Sequence, residues 1–138
     1  MSVSFSGGCL CGAVRYECLA APMRCFKCHC RDCQRTSGSA FLPGMVVPAD
    51  ALKLIQGEPK YYTVTADSGH TVSRGFCPEC GSILFGKVAE NPAIMIVSAV
   101  SQNDPRLFQP VADMWTSSAQ PWDYMDPALA KYPKDPPR

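Results

Sequence analysis

Nine cysteines limit what this chain can become more than any other feature it has. Seven stand in three short motifs, Cys9-x-Cys11, Cys28-x-Cys30-x-x-Cys33 and Cys77-x-x-Cys80, and Cys18 and Cys25 stand alone. Spacings of one or two residues let neighbouring sulfurs turn toward a common point, as metal ligands do. The compartment decides between metal and disulfide. Residues 1–8 have neither the basic nor the apolar region of a secretory signal. No apolar run approaches the ~20 residues of a transmembrane helix. A soluble, cytoplasmic protein is expected, and an odd number of thiols in a reducing compartment points to metal binding or thiol chemistry.

The rest of the composition fits a chain built of short strands. Hydrophobic residues make up 46% and charged residues 18%, which argues against disorder. Thirteen prolines and ten glycines imply many turns, so a mainly β fold is expected. With no repeat or interior linker, residues 1–138 read as a single domain. Val3 to Phe5 and Ala13 to Cys18 form the arms of a hairpin, with Val14, Tyr16 and Cys18 on one face. Asp32 to Ser37 reads as a short helix ended near Gly38. Further strands are expected at Phe41 to Val47 (interrupted at Pro43 and Gly44), Leu52 to Ile55, Lys60 to Val64, Thr71 to Phe76, Ile83 to Phe85 and Ile94 to Val100. Asp67-Ser68-Gly69 supplies a turn. Everything after Pro121 reads as an ordered wrap or a tail.

Two metal sites follow from the spacing. Cys77-Pro78-Glu79-Cys80-Gly81 has the form of a zinc knuckle, and a structural zinc takes four ligands. Cys9 and Cys11, on the glycine-flanked turn Gly7 to Gly12, are the natural partners. A redox pair or two buried apolar cysteines are the alternatives, but the Ser-Ile-Leu-Phe segment after Gly81 does not open the helix a redox motif requires. Cys28, Cys30 and Cys33 can occupy one face of a second ion. Three protein ligands and an open fourth position are the pattern of a catalytic zinc. The same spacing also allows a closed site, with Cys25, Cys18 or a histidine as the fourth ligand. His29, between two ligands, is expected to point away from the ion, next to it or toward solvent.

Gly8-Cys9-x-Cys11-Gly12, Cys28-His29-Cys30-x-x-Cys33 with Gly38, and Arg74-x-Phe76-Cys77-x-x-Cys80-Gly81 together resemble the glutathione-dependent formaldehyde-activating enzyme family. They are also similar to the domain of centromere protein V. Asp104-Pro105, Trp115 and Pro121-Trp122 extend the resemblance from about Val3 to Pro133. It implies the β-tent zinc fold, in which small antiparallel sheets are clamped by a four-cysteine zinc site at Cys9, Cys11, Cys77 and Cys80. It also implies a catalytic zinc at Cys28, Cys30 and Cys33. The implied reaction joins glutathione to formaldehyde as S-hydroxymethylglutathione, and its reverse is a carbon–sulfur lyase reaction.

Other residues read less specifically. Cys18 continues an apolar strand face and is expected to be buried. His70 is expected to face solvent. Trp115 and Trp122 read as core aromatics or as pocket walls. Arg74 pairs with an acid or approaches thiolates, and Arg24, Lys27, Arg31 and Arg35 read as a solvated basic face. A net charge of +1 and the lack of a basic-aromatic stripe speak against a nucleic-acid or membrane partner. The expected partner is a small-molecule thiol such as glutathione. The competing reading is a non-catalytic zinc module that binds a protein.

Overall fold

The computed structural model describes residues 2–137. Its strands, in chain order, are β1 (Phe5–Gly8), β2 (Arg15–Cys18), β3 (Arg24–Cys28), β4 (Leu42–Pro48), β5 (Leu52–Gln56), β6 (Lys60–Thr65), β7 (Thr71–Phe76), β8 (Ile83–Val88), β9 (Ile94–Ser98), β10 (Ala112–Met114) and β11 (Ala130–Tyr132), with helix α1 (Arg31–Ser37) between β3 and β4. The fold is mainly β, as the turn-rich composition demands. One antiparallel sheet has the order β1-β2-β5, and the larger sheet has the order β11-β10-β3-β4-β9-β8-β7-β6.

The hairpin arms differ from expectation. β1 begins at Phe5 and runs through Gly7 and Gly8, which pair with Tyr16 and Arg15. Only glycine fits at Gly7, where a Cβ would stand 2.3 Å from the Ser101 carbonyl oxygen. The bridge from Gly7 to Gln102 occupies that space. β4 also runs unbroken through Pro43 and Gly44. Its pairing with β9 begins only at Gly44, so Pro43 has one flank free of a ladder, where a missing N–H is tolerated. β8 runs to Val88, beyond the expected end. β9 stops at Ser98, and Ala99–Ser101 is a single 3-10 turn.

Two strands were not legible. β10 lies parallel to β3 and carries β11 parallel at its outer edge. The segment after Pro121 is therefore ordered, and its Ala130–Tyr132 strand completes the large sheet. Helix α1 starts on Cys30, whose sulfur accepts the Cys33 N–H, and ends at Gly38 in the left-handed conformation.

The large sheet is covered on both faces. On one face, Tyr16 and Cys18 of the small sheet, with Val14 just before β2, pack against Met45, Val47, Leu84 and Val97, and Cys77 is buried among them. Tyr16 links the two sheets: its ring meets Phe5 and Phe85 edge-on at 6.2 and 5.3 Å, and its hydroxyl shares a 2.7 Å hydrogen bond with Ser101. Burial pushes that phenol up to about 12. Each such side chain, fully buried, contributes about 1.5–3 kcal/mol. On the other face, Phe26, Cys28, Cys33 and Trp115 form a second, smaller cluster. The strand alternation between these faces places the candidate site.

Candidate metal centres and active site

The first cysteine group joins two distant turns. The ligand atoms of Cys9, Cys11, Cys77 and Cys80 all lie within 4.8 Å of one another. The Cys9–Cys11 and Cys11–Cys77 sulfurs are 3.7 and 3.8 Å apart. Two sulfurs held at about 2.3 Å by one tetrahedral ion stand about 3.8 Å apart, so this spacing fits zinc. Local hydrogen bonds aim donors at the sulfurs. The Val14 N–H reaches Cys9 at 3.2 Å and the Glu79 N–H reaches Cys77 at 3.4 Å. Ser82 stitches the turns together, accepting the Leu10 N–H at 3.0 Å while its hydroxyl lies 3.1 Å from the Cys80 sulfur. That side chain, followed by its own backbone N–H, lowers the Cys80 thiol to about 5.

In the second group, Cys28 ends β3, Cys30 caps α1 and Cys33 lies one turn into the helix. These three sulfurs also lie within 4.8 Å of one another. Ionising one of them opposes ionising the others. Hydrogen bonds from Cys28 and Cys33, aided by Arg74, hold Cys30 at about 2. Hydrogen bonds with Cys30 and then Cys33, together with burial, push Cys28 far above the ordinary thiol range. A hydrogen bond to Cys28 lowers Cys33, but Cys30 and burial outweigh it and raise Cys33 to about 12. Three thiols this close cannot all ionise unless a cation joins them, and a soft dication suits such a donor set. Arg74 of β7 sets Nη2 3.9 Å from the Cys33 sulfur, adding positive charge beside the group.

Cys25 does not join this group. Three residues along an extended strand reverse the direction of a side chain. Cys28 therefore enters the smaller cluster while Cys25 packs against the main core. Cys18 is fully buried in that core as well. Among the described residues, the group contains no fourth His, Cys, Asp or Glu. A cavity of about 140 Å³ lies beside it, walled by residues from β3, β4, β7, β8 and β9.

His29 takes the buried one of its two expected positions. It is not a member of the sulfur group, and its side chain is completely buried rather than solvent-facing. Nε2 lies 2.8 Å from Asp113 Oδ1, and Nδ1 lies 3.3 Å from Asp123 Oδ2. Asp113, also fully buried, receives Lys131 at 2.9 Å and Lys27 at 3.6 Å. The Gln34 amide donates to the His29 carbonyl at 2.6 Å. The backbone between Cys28 and Cys30 is thus tied from both sides. Asp113 and Asp123 carried no signal in the sequence, because only the parallel pairing of β3 with β10 brings Asp113 opposite Lys27.

The remaining expectations divide. His70 is half-buried and lines the cavity rather than facing solvent. Trp115 is a wall of that cavity, held at φ 58°, ψ 39° by the tail, whose Asp135 accepts its indole N–H at 2.8 Å. Left-handed backbone costs a non-glycine residue about 1–2 kcal/mol, so this tail contact also holds a strained conformation in place. Trp122 is 73% exposed and is neither core nor wall. Arg24, Lys27, Arg31 and Arg35 lie outside the cavity lining, and Arg74 and His70 are the basic residues among its walls. Among the described residues, no helix is long and apolar enough to cross a membrane.

Known proteins resemble this chain in sequence and in fold. The sequence profile of the family described as "Glutathione-dependent formaldehyde-activating enzyme" matches residues 4–118. A curated protein of Penicillium rubens, named "Putative glutathione-dependent formaldehyde-activating enzyme", is 34% identical over 95 residues, covering 65% of this chain and 49% of its own length. A Phaeosphaeria nodorum protein of the same name is 34% identical over 64 residues, covering 46% of this chain and 33% of that one. The chain thus spans half or less of the length of these relatives. A crystal structure of a Rhodobacter sphaeroides protein superimposes with a TM-score of 0.57 at 22% identity, over 73% of this chain and 92% of that one, and so shares the fold.

Proposed function

The chain belongs to the glutathione-dependent formaldehyde-activating enzyme family, and from that premise we propose that it is a zinc enzyme making or breaking the carbon–sulfur bond of a thiol adduct. The adduct its family suggests is S-hydroxymethylglutathione, formed from glutathione and formaldehyde. In this reading residues 1–138 are one cytoplasmic domain whose partner is a small-molecule thiol, not nucleic acid or membrane. Cys9, Cys11, Cys77 and Cys80 hold a structural zinc; Cys28, Cys30 and Cys33 hold a catalytic one. The observation that carries the proposal is the second group: three converged sulfurs, no fourth His, Cys, Asp or Glu among the described residues, and a cavity that the three cysteines line.

Zinc at that group would keep an incoming thiol deprotonated near neutral pH. The chain's residues supply the rest. The Cys30 cap and the ties on His29 fix the sulfurs before substrate arrives, which reduces the reorganisation left for the reaction. Arg74 offsets the negative charge gathered at Cys33. Phe26, Met114 and Trp115 give the cavity apolar walls, and a less polar surrounding strengthens the electrostatic contacts within it. In the lyase direction the carbon–sulfur bond breaks with its electron pair on sulfur, and the hydroxyl loses its proton as the carbonyl forms.

Cobalt substituted for zinc tests the reading through charge-transfer bands that count bound sulfurs. Adding a thiol should strengthen those bands at the second site, and Cys30→Ser should abolish the response. The same variant should slow adduct cleavage, measured above the uncatalysed background. A complete four-sulfur spectrum at both sites before any thiol is added would overturn the enzyme reading in favour of a protein-binding zinc module.

A further inference from the structure

The cavity beside Cys28, Cys30 and Cys33 matches the adduct of glutathione with formaldehyde poorly. Its walls include Phe26, Leu42, Phe85, Ile96, Met114 and Trp115. Asp32, Asp67 and Asp135, the last holding the Trp115 indole N–H, also line it, against Arg74 and the half-buried His70. None of those three carboxylates forms an ion pair among the described residues. Glutathione brings two carboxylates, which meet an acidic lining with one cation to receive them. Lys27, which could have served, is engaged by Asp113 and lies outside the lining. Formaldehyde contributes no carbon beyond the reacting one, and so would leave the apolar walls without a partner.

Resting on the thiol-adduct reading above, we propose that this cavity binds neutral hemithioacetals whose reacting carbon carries an apolar chain. The adduct R–S–CH(OH)–R′ gives R–SH and R′–CHO. The carbon–sulfur bond breaks, its electron pair stays on sulfur, and the hydroxyl proton is transferred overall to that sulfur as the carbonyl forms. No further reactant is needed. The chain R′ lies against Phe26, Leu42, Ile96 and Trp115, and each methylene it buries contributes about fourfold in binding.

Two measurements on the zinc-loaded protein test this. In the first, 2-mercaptoethanol adducts of formaldehyde, acetaldehyde and butyraldehyde are compared. Their kcat/KM should rise about fourfold per methylene until the cavity is full. The corresponding mercaptoacetate adducts, similar in size but anionic, should be about fivefold slower. In the second, Trp122→Phe leaves Trp115 as the fluorescent reporter, and straight-chain alcohols should bind with the same dependence on length. Val72→Phe or Val88→Phe, each at a half-buried wall position, should shift the optimum toward shorter chains. The two variants guard against a folding failure in one of them. Preference for the glutathione–formaldehyde adduct, or fluorescence titrations independent of chain length, would overturn the proposal. Length-dependent binding with no turnover of any adduct would support the cavity's selectivity while overturning the thiol-adduct chemistry.

Discussion

Asp113→Ala tests the buried charge cluster that ties down the candidate site. Asp113 is fully buried and sits at the centre of three cationic or potentially cationic groups, His29, Lys131 and Lys27, at 2.8, 2.9 and 3.6 Å. Removing one partner of a buried ion pair typically costs 3–5 kcal/mol, because the other partner is left unpaired. Here the loss falls near the lower limit. Lys131 is one-third exposed and can turn to water, and Lys27 retains partial access, while His29 has no such escape. A destabilisation of about 3 kcal/mol follows, or about 10 °C in Tm for a chain of this size. Lys131→Ala, removing a partner that solvent already screens, should cost under about 1 kcal/mol.

The pH dependence supplies a sign. Burial raises the Asp113 carboxyl, but hydrogen bonds from His29 and Lys131 and the charge of Lys27 outweigh it, and the net shift is downward. A depressed folded-state value means that the contribution is complete above the unfolded value of about 3.9 and is lost as pH falls through the folded one. Urea denaturation of both proteins should show a gap that is constant from pH 7 to about 5 and closes below about 4. The difference between the two proteins is the readout, since thiolate sites also release metal in acid. A gap under about 1 kcal/mol at pH 7 would refute the reasoning, as would a gap that widens on acidification.

Elemental analysis should find close to two zinc ions per chain, and a protein whose thiols are paired as disulfides without metal would contradict both sites. Cys77→Ser, in the main core, should prevent folding or lower Tm by more than about 15 °C, whereas Cys33→Ser should spare the fold and halve the zinc content. Equal losses of stability from the two would count against a structural and a catalytic centre. Gly44→Ala would place a methyl 2.4 Å from the buried Phe26 ring, two residues from Cys28. It should cost about 1–3 kcal/mol in thermal denaturation and weaken zinc retention at the second site.

Much of this protein is written locally. The C-x-C, C-x-C-x-x-C and C-x-x-C spacings already group their own sulfurs, since one or two residues span so short a reach that little else is needed. The same holds for the α1 cap at Cys30, its stop at Gly38, and the alternation that buries Val14, Tyr16 and Cys18. The joining of Cys9 and Cys11 to Cys77 and Cys80 was also legible, because a half-filled zinc site implies a second half.

What tertiary structure decided lies between residues far apart in the chain. Whether Cys25 could serve the second group depended on whether β3 remained extended through Cys28, since extension alone turns the two sulfurs to opposite faces. The burial of His29 required Asp113 and Asp123 from the C-terminal third, and they reach it because β10 adds parallel to β3, a pairing with no turn to announce it. Nor did periodicity indicate that Trp115 would be a wall and Trp122 exposed. A short motif fixes which atoms can meet, because the chain between them is short. Which side of a sheet they face, and what closes over them, follows from strand pairing across the whole molecule.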